Sequence, residues 1–254
     1  VIATPHLGAS TIEAQESVAV DVSNDIIKFF TTGTVTNPVN MPSIPKEKLA
    51  EVEPFFALTE KLGKFLIQVT EGAVKELNIS YAGEVAHYDV RPLTANAIKG
   101  LLSTNHGTHV NDVNARYLAE RIGMKINEHK TTTAKGFTNL VTVEVKTEKE
   151  THSVAGTLLN GLGARIVKVE GFVVDVKPDG NFLYIKNQDK PGSIGRVATK
   201  LAESQINIAT MQVGRNEVGG SAVMMLGIDN KVTPEDLVLV AQLENIDEVK
   251  AIQL

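Results

Sequence analysis

With 254 residues, 43% of them hydrophobic and 22% charged, the chain is long enough for two or three compact units of ordinary globular composition. A net charge of −5 offers no cationic footprint for nucleic acid, and the absence of cysteine excludes disulfides and thiolate metal sites and suits a reducing cytoplasm. No apolar run approaches the roughly 18 residues of a membrane-spanning helix, so neither nucleic acid nor membrane is an expected partner.

The opening Val1-Ile2-Ala3-Thr4-Pro5-His6 has no initiator Met and no basic-then-apolar signal pattern, and an apolar pair leading into Thr-Pro reads as the end of a buried strand. The chain is expected to begin in the middle of a fold. Ser10 followed by Glu13 has capping-box spacing. Ala14, Val18, Val22, Ile26, Phe29 and Phe30 recur at helical spacing up to Gly33, giving an apolar face expected to pack on something outside the sequence. Residues 34–45 hold three prolines and read as an extended linker, the best domain boundary in the chain.

A second helix is predicted over 46–69, with Leu49, Val52, Phe56, Leu62, Phe65, Leu66 and Val69 inward and Pro54 as its point of division. A strand over 76–88, a turn at Arg91-Pro92, helices over 95–103 and 111–121, and a strand from Met124 to Asn127 follow. Residues 140–147 and 152–158 alternate around the charged Glu148-Lys149-Glu150 run as a hairpin, and 166–176 reads as one further strand. The last segment reads strand 181–186, helix 192–204, strands 206–214 and 221–228, a helix with Pro234 in its first turn, and strand 249–254. The expected fold is therefore α+β. An N-terminal piece over 1–45 precedes a small α+β unit over 46–177 and a ferredoxin-like βαββαβ unit over 178–254.

Three stretches resemble consecutive parts of one enzyme family. Thr4-Pro5-His6-Leu7-Gly8-Ala9-Ser10-Thr11 with Glu13-Ala14-Gln15 looks like the signature that closes the nucleotide-binding domain of D-3-phosphoglycerate dehydrogenases, which are doubly wound α/β dehydrogenases. The middle unit, with Val113-Asn114-Ala115 and Gly156-Thr157-Leu158, is similar to the allosteric-substrate-binding domain of the longer members, and the last unit, with Asp189-Lys190-Pro191-Gly192, resembles an ACT domain. The resemblance implies an intact NAD-dependent enzyme of L-serine biosynthesis that oxidises 3-phosphoglycerate to 3-phosphooxypyruvate, with L-serine as feedback effector. It implies His6 as the acid/base on the substrate hydroxyl, a role that imidazole fits because it titrates near neutrality. The carboxylate that orients this His lies elsewhere in the family, so the fragment by itself is expected to be inactive. Two readings compete: a stand-alone amino-acid-binding module, and the regulatory subunit of a serine dehydratase.

No GxGxxG follows a strand; Gly161-Leu162-Gly163 lacks the third glycine and sits in a turn, so no NAD site is expected in these residues. At Asp189-Lys190-Pro191-Gly192 a strand turns into a helix whose first N–H groups suit a carboxylate, with Asp189 available to an ammonium. Asn187, Asp189 and Asn207 occupy positions matching the family's serine contacts, Asn207 reaching across a dimer interface; the plain alternative makes Asp189 a helix cap and Asn207 a turn residue. Many family members carry His or Tyr where Asn187 stands. Arg165 and Lys177, with Lys99 as a weaker third, resemble basic positions that hold a phosphorylated or acidic small molecule. His106, His109 and Asp112 have ligand-like spacing, but Gly107 breaks the helix that would align them, so no metal is expected. A homo-oligomer, at least a dimer, is expected through residues 181–211, because an exposed edge strand invites pairing.

Overall fold

The computed structural model describes residues 3, 5–32, 46–106, 109–134 and 136–254, apart from the side chains of 46–50 and 105–106. The chain forms two compact units, Val1–Ser43 and Ile44–Leu254. In the first, helix α1 (Ile12–Thr32) is capped one residue later than the sequence suggested: Thr11 Oγ1 accepts from the Ala14 N–H at 3.2 Å, while Ser10 Oγ donates to the Leu7 carbonyl. Its apolar positions Val18, Val22, Ile26, Phe29 and Phe30 are all exposed within this unit. The expectations for Gly33 and for a linker over 34–45 fall outside the described residues.

The second unit opens on α2 (Lys46–Val69), which runs unbroken through Pro54. The expected division is absent because the residues after the proline are locked by burial: Phe55, Leu58, Leu62, Phe65, Leu66 and Val69 are each 3% exposed or less. Phe55 and Leu58 take the inner places, and Phe56 is only half-buried. Strand β1 (Glu76–Gly83) stops short of Tyr88. Gly83 takes φ 87 and its absent Cβ leaves room for the Thr138 carbonyl, so the chain leaves the sheet into a 3₁₀ turn, Glu84–His87. Arg91-Pro92 is no turn but the first turn of α3 (Arg91–His106), started by the Asp89 carboxylate accepting from the Arg91 N–H. The helix expected over 111–121 is shortened to α4 (Ala115–Arg121). Asn111 and Asn114 fold the preceding turn, with Asn111 Oδ1 accepting from the Val113 and Asn114 N–H groups.

Strand β2 (Lys125–Thr131) runs beyond Asn127, because all seven residues pair in parallel with β1. The hairpin of β3 (Asn139–Lys146) and β4 (Thr151–Leu159) forms as expected. Residues 166–176 are two strands rather than one: β5 (Gly163–Val169) and β6 (Phe172–Val176) meet at Glu170-Gly171, whose φ values of 52 and 79 make a two-residue reversal. A Glu at positive φ is unusual, and that is why the turn escaped the pattern. The first sheet is ordered β2-β1-β3-β4-β5-β6.

The remainder is β7 (Asn181–Gln188), α5 (Ser193–Glu203), β8 (Ile208–Arg215), β9 (Ser221–Ile228), α6 (Pro234–Ala241) and β10 (Ile246–Gln253). Their sheet order β10-β7-β9-β8, antiparallel throughout, is the ferredoxin-like βαββαβ arrangement. Thr233 and Asp236 form a full capping box on α6. One face of this sheet meets α5 and α6 around Leu183, Ile185, Val197, Leu201, Met224 and Leu226. The other face carries Phe182, Tyr184, Val223, Met225 and Ile252 into the same core as α2, α3 and the first sheet. Helix α2 bridges the two sheets. Its Gln68 side chain exchanges two hydrogen bonds with the Gln253 backbone at 2.9 and 3.1 Å, and Lys61 donates to the Pro178 carbonyl at 2.6 Å.

Candidate amino-acid site in the ferredoxin-like unit

The C-terminal end of β7 delivers Asn187 and Asp189 to the start of α5. Asn187 is 2% exposed; its Nδ2 donates to the Gln188 carbonyl at 2.8 Å, and its Oδ1 has no hydrogen-bond partner. A buried acceptor left open costs about 1–3 kcal/mol, so it marks a place where a donor belongs. Ser193 Oγ donates to the same Gln188 carbonyl at 3.3 Å. Gly192 is the N-cap of α5 at φ 88 with no side-chain cap bond, so Asp189 is not a helix cap. The first-turn N–H groups of α5 lack intrahelical acceptors by geometry, and the helix dipole favours an anion there.

Asp189 is already engaged within the chain. Its Oδ2 accepts from Arg215 Nη1 at 2.6 Å and from the Gly219 N–H at 3.3 Å. The Arg215 hydrogen bond, followed by that from Gly219, holds the carboxyl below the usual carboxylate range. Asn207 lies elsewhere, just before β8, with Nδ2 donating to Asp229 Oδ2 at 2.7 Å. Arg215 ends the same strand, whose eight residues span about 25 Å, so within one copy Asn207 and Asp189 sit at opposite ends of the sheet. A single copy brings Asn187 and Asp189 together and leaves Asn207 out; a shared site needs a second copy.

Arg165 and Lys177 lie near one end of the β5–β6 pair. Ile166 pairs with Val176, so Arg165 precedes and Lys177 follows the partners of that rung. Each faces an aspartate: Arg165 Nε lies 3.7 Å from Asp175 and Lys177 Nζ 3.4 Å from Asp179. Lys99 is not part of this pair. It bridges Glu60 at 2.9 Å and Asp112 at 2.8 Å, tying α2, α3 and the turn before α4 together. That bridge also commits Asp112. Among the described residues no group of three or more His, Cys, Asp or Glu could hold a metal ion, and the His106 side chain lies outside them. His6 is exposed in the turn before α1. Gly161 and Gly163, at φ 76 and 72, shape the β4–β5 turn rather than a helix start, so these two glycines do not form a dinucleotide loop. No described helix is long and apolar enough to cross a membrane.

One cluster went unseen in the sequence. His152, only 9% exposed in its side chain, stands between Glu170 (3.2 Å) and Glu150 (3.3 Å) where the two sheets adjoin, with Lys186, Glu248, Lys250 and the buried Tyr184 hydroxyl in the same electrostatic neighbourhood. The Glu170 hydrogen bond holds the imidazole above its ordinary value, and burial raises Glu248 as well. Both shifts favour the protonated form in the folded state. For His152 the stabilisation is full below the unfolded value near 6.5 and is lost as pH rises through the folded value. His152→Gln is therefore expected to cost roughly 1–2 kcal/mol near pH 6 and less near pH 8, read from urea midpoints at each pH. A gap that widens with pH contradicts this.

With the fold and site placed, comparison with known proteins gives two family matches. Residues 51–170 match the D-3-phosphoglycerate dehydrogenase intervening domain and residues 182–247 match the ACT domain. The chain is thus of the class that joins an intervening α+β unit to an ACT unit. Over its whole length it is similar to the D-3-phosphoglycerate dehydrogenases of Bacillus subtilis and Methanocaldococcus jannaschii, each at 37% identity and 48% of the relative's length. That of Synechocystis sp. is 34% identical over 46% of its length. Both domain matches and the whole-length similarity point the same way: the chain is similar to the C-terminal part of D-3-phosphoglycerate dehydrogenases. It spans about half the length of the curated relatives it matches.

The two motifs that carried the resemblance in the middle unit have structural reasons. A Cβ at Gly156 would crowd Leu58 Cδ1 at 2.7 Å and the Arg165 carbonyl at 3.1 Å, so glycine there lets α2 pack closely on β4. Asn114 Oδ1 accepts from the Asn111 N–H at 2.8 Å and its Nδ2 donates to the His109 carbonyl at 2.9 Å, closing the turn that starts α4.

Proposed function

We propose that the chain is the regulatory C-terminal part of an NAD-dependent D-3-phosphoglycerate dehydrogenase of L-serine biosynthesis and binds L-serine as feedback effector in its ACT unit. The domains of this reading are 1–45, 46–177 and 178–254. In the intact cytoplasmic enzyme, 3-phosphoglycerate would be oxidised to 3-phosphooxypyruvate, with His6 receiving the hydroxyl proton. NAD would be held outside these residues. A phosphorylated or acidic small molecule at Arg165 and Lys177 is a second proposed ligand, which must compete with Asp175 and Asp179. Feedback requires serine to favour one arrangement of the enzyme over another.

The observation that carries this reading is the ACT match over 182–247 coinciding with a buried, unpartnered Asn187 Oδ1 beside Asp189 and the first turn of α5. A small zwitterion needs donors for its carboxylate and an acceptor for its ammonium, and that corner holds both. Because Asn207 lies at the far end of the sheet, completion of the site falls to a second copy, and the expected assembly is at least a dimer. Calorimetry with L-serine should show binding that Asp189→Ala and Asn207→Ala each weaken at least about tenfold, the worth of one charge-assisted hydrogen bond. Size-exclusion chromatography should return a dimer or larger. Unchanged affinity in both variants, or a strict monomer at micromolar concentration, defeats the reading.

A further inference from the structure

We propose that Arg215 is a ligand-binding residue of this site, with the Asp189–Arg215 ion pair acting as a split receptor that an α-amino acid opens. The ammonium takes the carboxylate of Asp189, and the ligand's carboxylate takes the released guanidinium. This rests on the amino-acid reading above and adds to it the receptor for the anionic end.

The first support is the pair itself. Asp189 is the acidic side chain beside the α5 entrance, and its Oδ2 is held by Arg215 Nη1 at 2.6 Å. An amine that displaced Arg215 would exchange one cation for another and leave the guanidinium without its anion. A carboxylic acid that captured Arg215 would strand Asp189 in the same way. A zwitterion replaces one charge-assisted pair with two, so the geometry selects for molecules that carry both charges close together. Guanidinium also suits the task because its planar fork can grip a carboxylate with two parallel bonds.

The second support is the register. Asn187 pairs with Ala222, and Ala222 pairs with Arg215, so the three stand on one rung of β7, β9 and β8 with side chains on the same face, the one toward α5. Two strand spacings put the Asn187 and Arg215 positions about 10 Å apart. The residue between them is alanine, fully buried and contributing only a methyl group. Asn187, itself 2% exposed, keeps an open Oδ1 on this rung. An unsatisfied buried acceptor and a displaceable ion pair thus flank a small floor, and that spacing fits a compact amino acid rather than a long one. Arg215 is half-exposed, so it can swing from Asp189 to a ligand without unpacking the core.

Calorimetry of L-serine against the wild-type chain, Arg215→Gln and Arg215→Lys tests the inference. Arg215→Gln is expected to weaken binding at least about tenfold, the loss of one hydrogen bond to a charged partner, with an unchanged thermal midpoint as evidence of folding. Arg215→Lys is expected to fall between, because an ammonium keeps the charge and loses the fork. L-Serine methyl ester, which has no anionic end, should bind the wild type no better than serine binds Arg215→Gln. Serine affinity that is unchanged or tighter in Arg215→Gln overturns the receptor role and leaves the amino-acid reading standing. Absence of serine binding to the wild type overturns both.

Discussion

Gly100→Ala is expected to unfold at a markedly lower urea concentration than the wild type, and Gly63→Ala likewise, each losing about 3 kcal/mol. The two glycines are reciprocal contacts of α2 and α3. A Cβ at Gly63 would sit 2.0 Å from the Ala97 carbonyl oxygen and 2.9 Å from the Leu101 nitrogen, and one at Gly100 would sit 2.0 Å from the Glu60 carbonyl oxygen. These are backbone atoms, so relief requires the helices to move apart and to unseat the buried Leu62, Phe65, Leu93 and Leu101 around them. Alanine is the better helix former by about 1 kcal/mol, so a result governed by propensity would have the opposite sign. Gly195 in α5 is the control, since nothing lies within 4 Å of its added Cβ. Gly195→Ala should leave stability unchanged or raise it by up to about 1 kcal/mol. Equal effects at all three glycines would refute close helix approach as the cause.

Phe65→Ala should cost about 3–5 kcal/mol, the usual range for removing a buried aromatic ring. Phe65 is fully buried on α2 and meets Tyr184 of β7 edge-on, with ring centroids 6.2 Å apart at 85°. It joins the intervening unit to the ACT unit within one core, so its removal is expected to act on cooperativity as well as on the midpoint. The wild type should melt residues 46–254 in one calorimetric transition, and Phe65→Ala should broaden or divide it. Tyr184→Phe serves as the mild comparison. It keeps the ring and removes a buried hydroxyl that has no partner, so it should be neutral or slightly stabilising. A sharp single transition at an unchanged midpoint in Phe65→Ala would mean that the two sheets are not coupled through this contact.

Such coupling is what a feedback device needs, because a ligand seated at the start of α5 reaches the rest of the chain only through contiguous packing. The helix-facing side of the ACT sheet carries the candidate site, and the opposite side is shared with α2 and the first sheet.

Much of the fold was legible in the residues. The span of α2, both limits of β9 and the βαββαβ order follow from periods of 3.6 and 2, which are properties of neighbouring residues. The misreadings share one cause. Pro54 inside a continuous helix, Glu170 at positive φ, and β2 running on to Thr131 are all cases where distant packing or pairing overrode a local preference. The candidate site divides along the same line. The Asp189-Lys190-Pro191-Gly192 junction is a local pattern, and Asn187, Asp189 and Asn207 could be picked from the chain because they match the serine contacts of the resembled family. Arg215, 26 residues beyond Asp189, could not be, and neither could the pairing of His152 with Glu170, 18 residues on.

By itself, then, the sequence determined which elements exist and their order, because backbone conformation and hydrophobic period are set within a few residues, and its motifs carried the family resemblance. The tertiary structure alone decided who partners whom. The crossover that lays β9 between β7 and β8 brings Arg215 to Asp189 and carries Asn207 to the other end of the sheet. Charges interact over a few ångströms of space, whatever their distance along the chain, and only the closed sheet sets those distances.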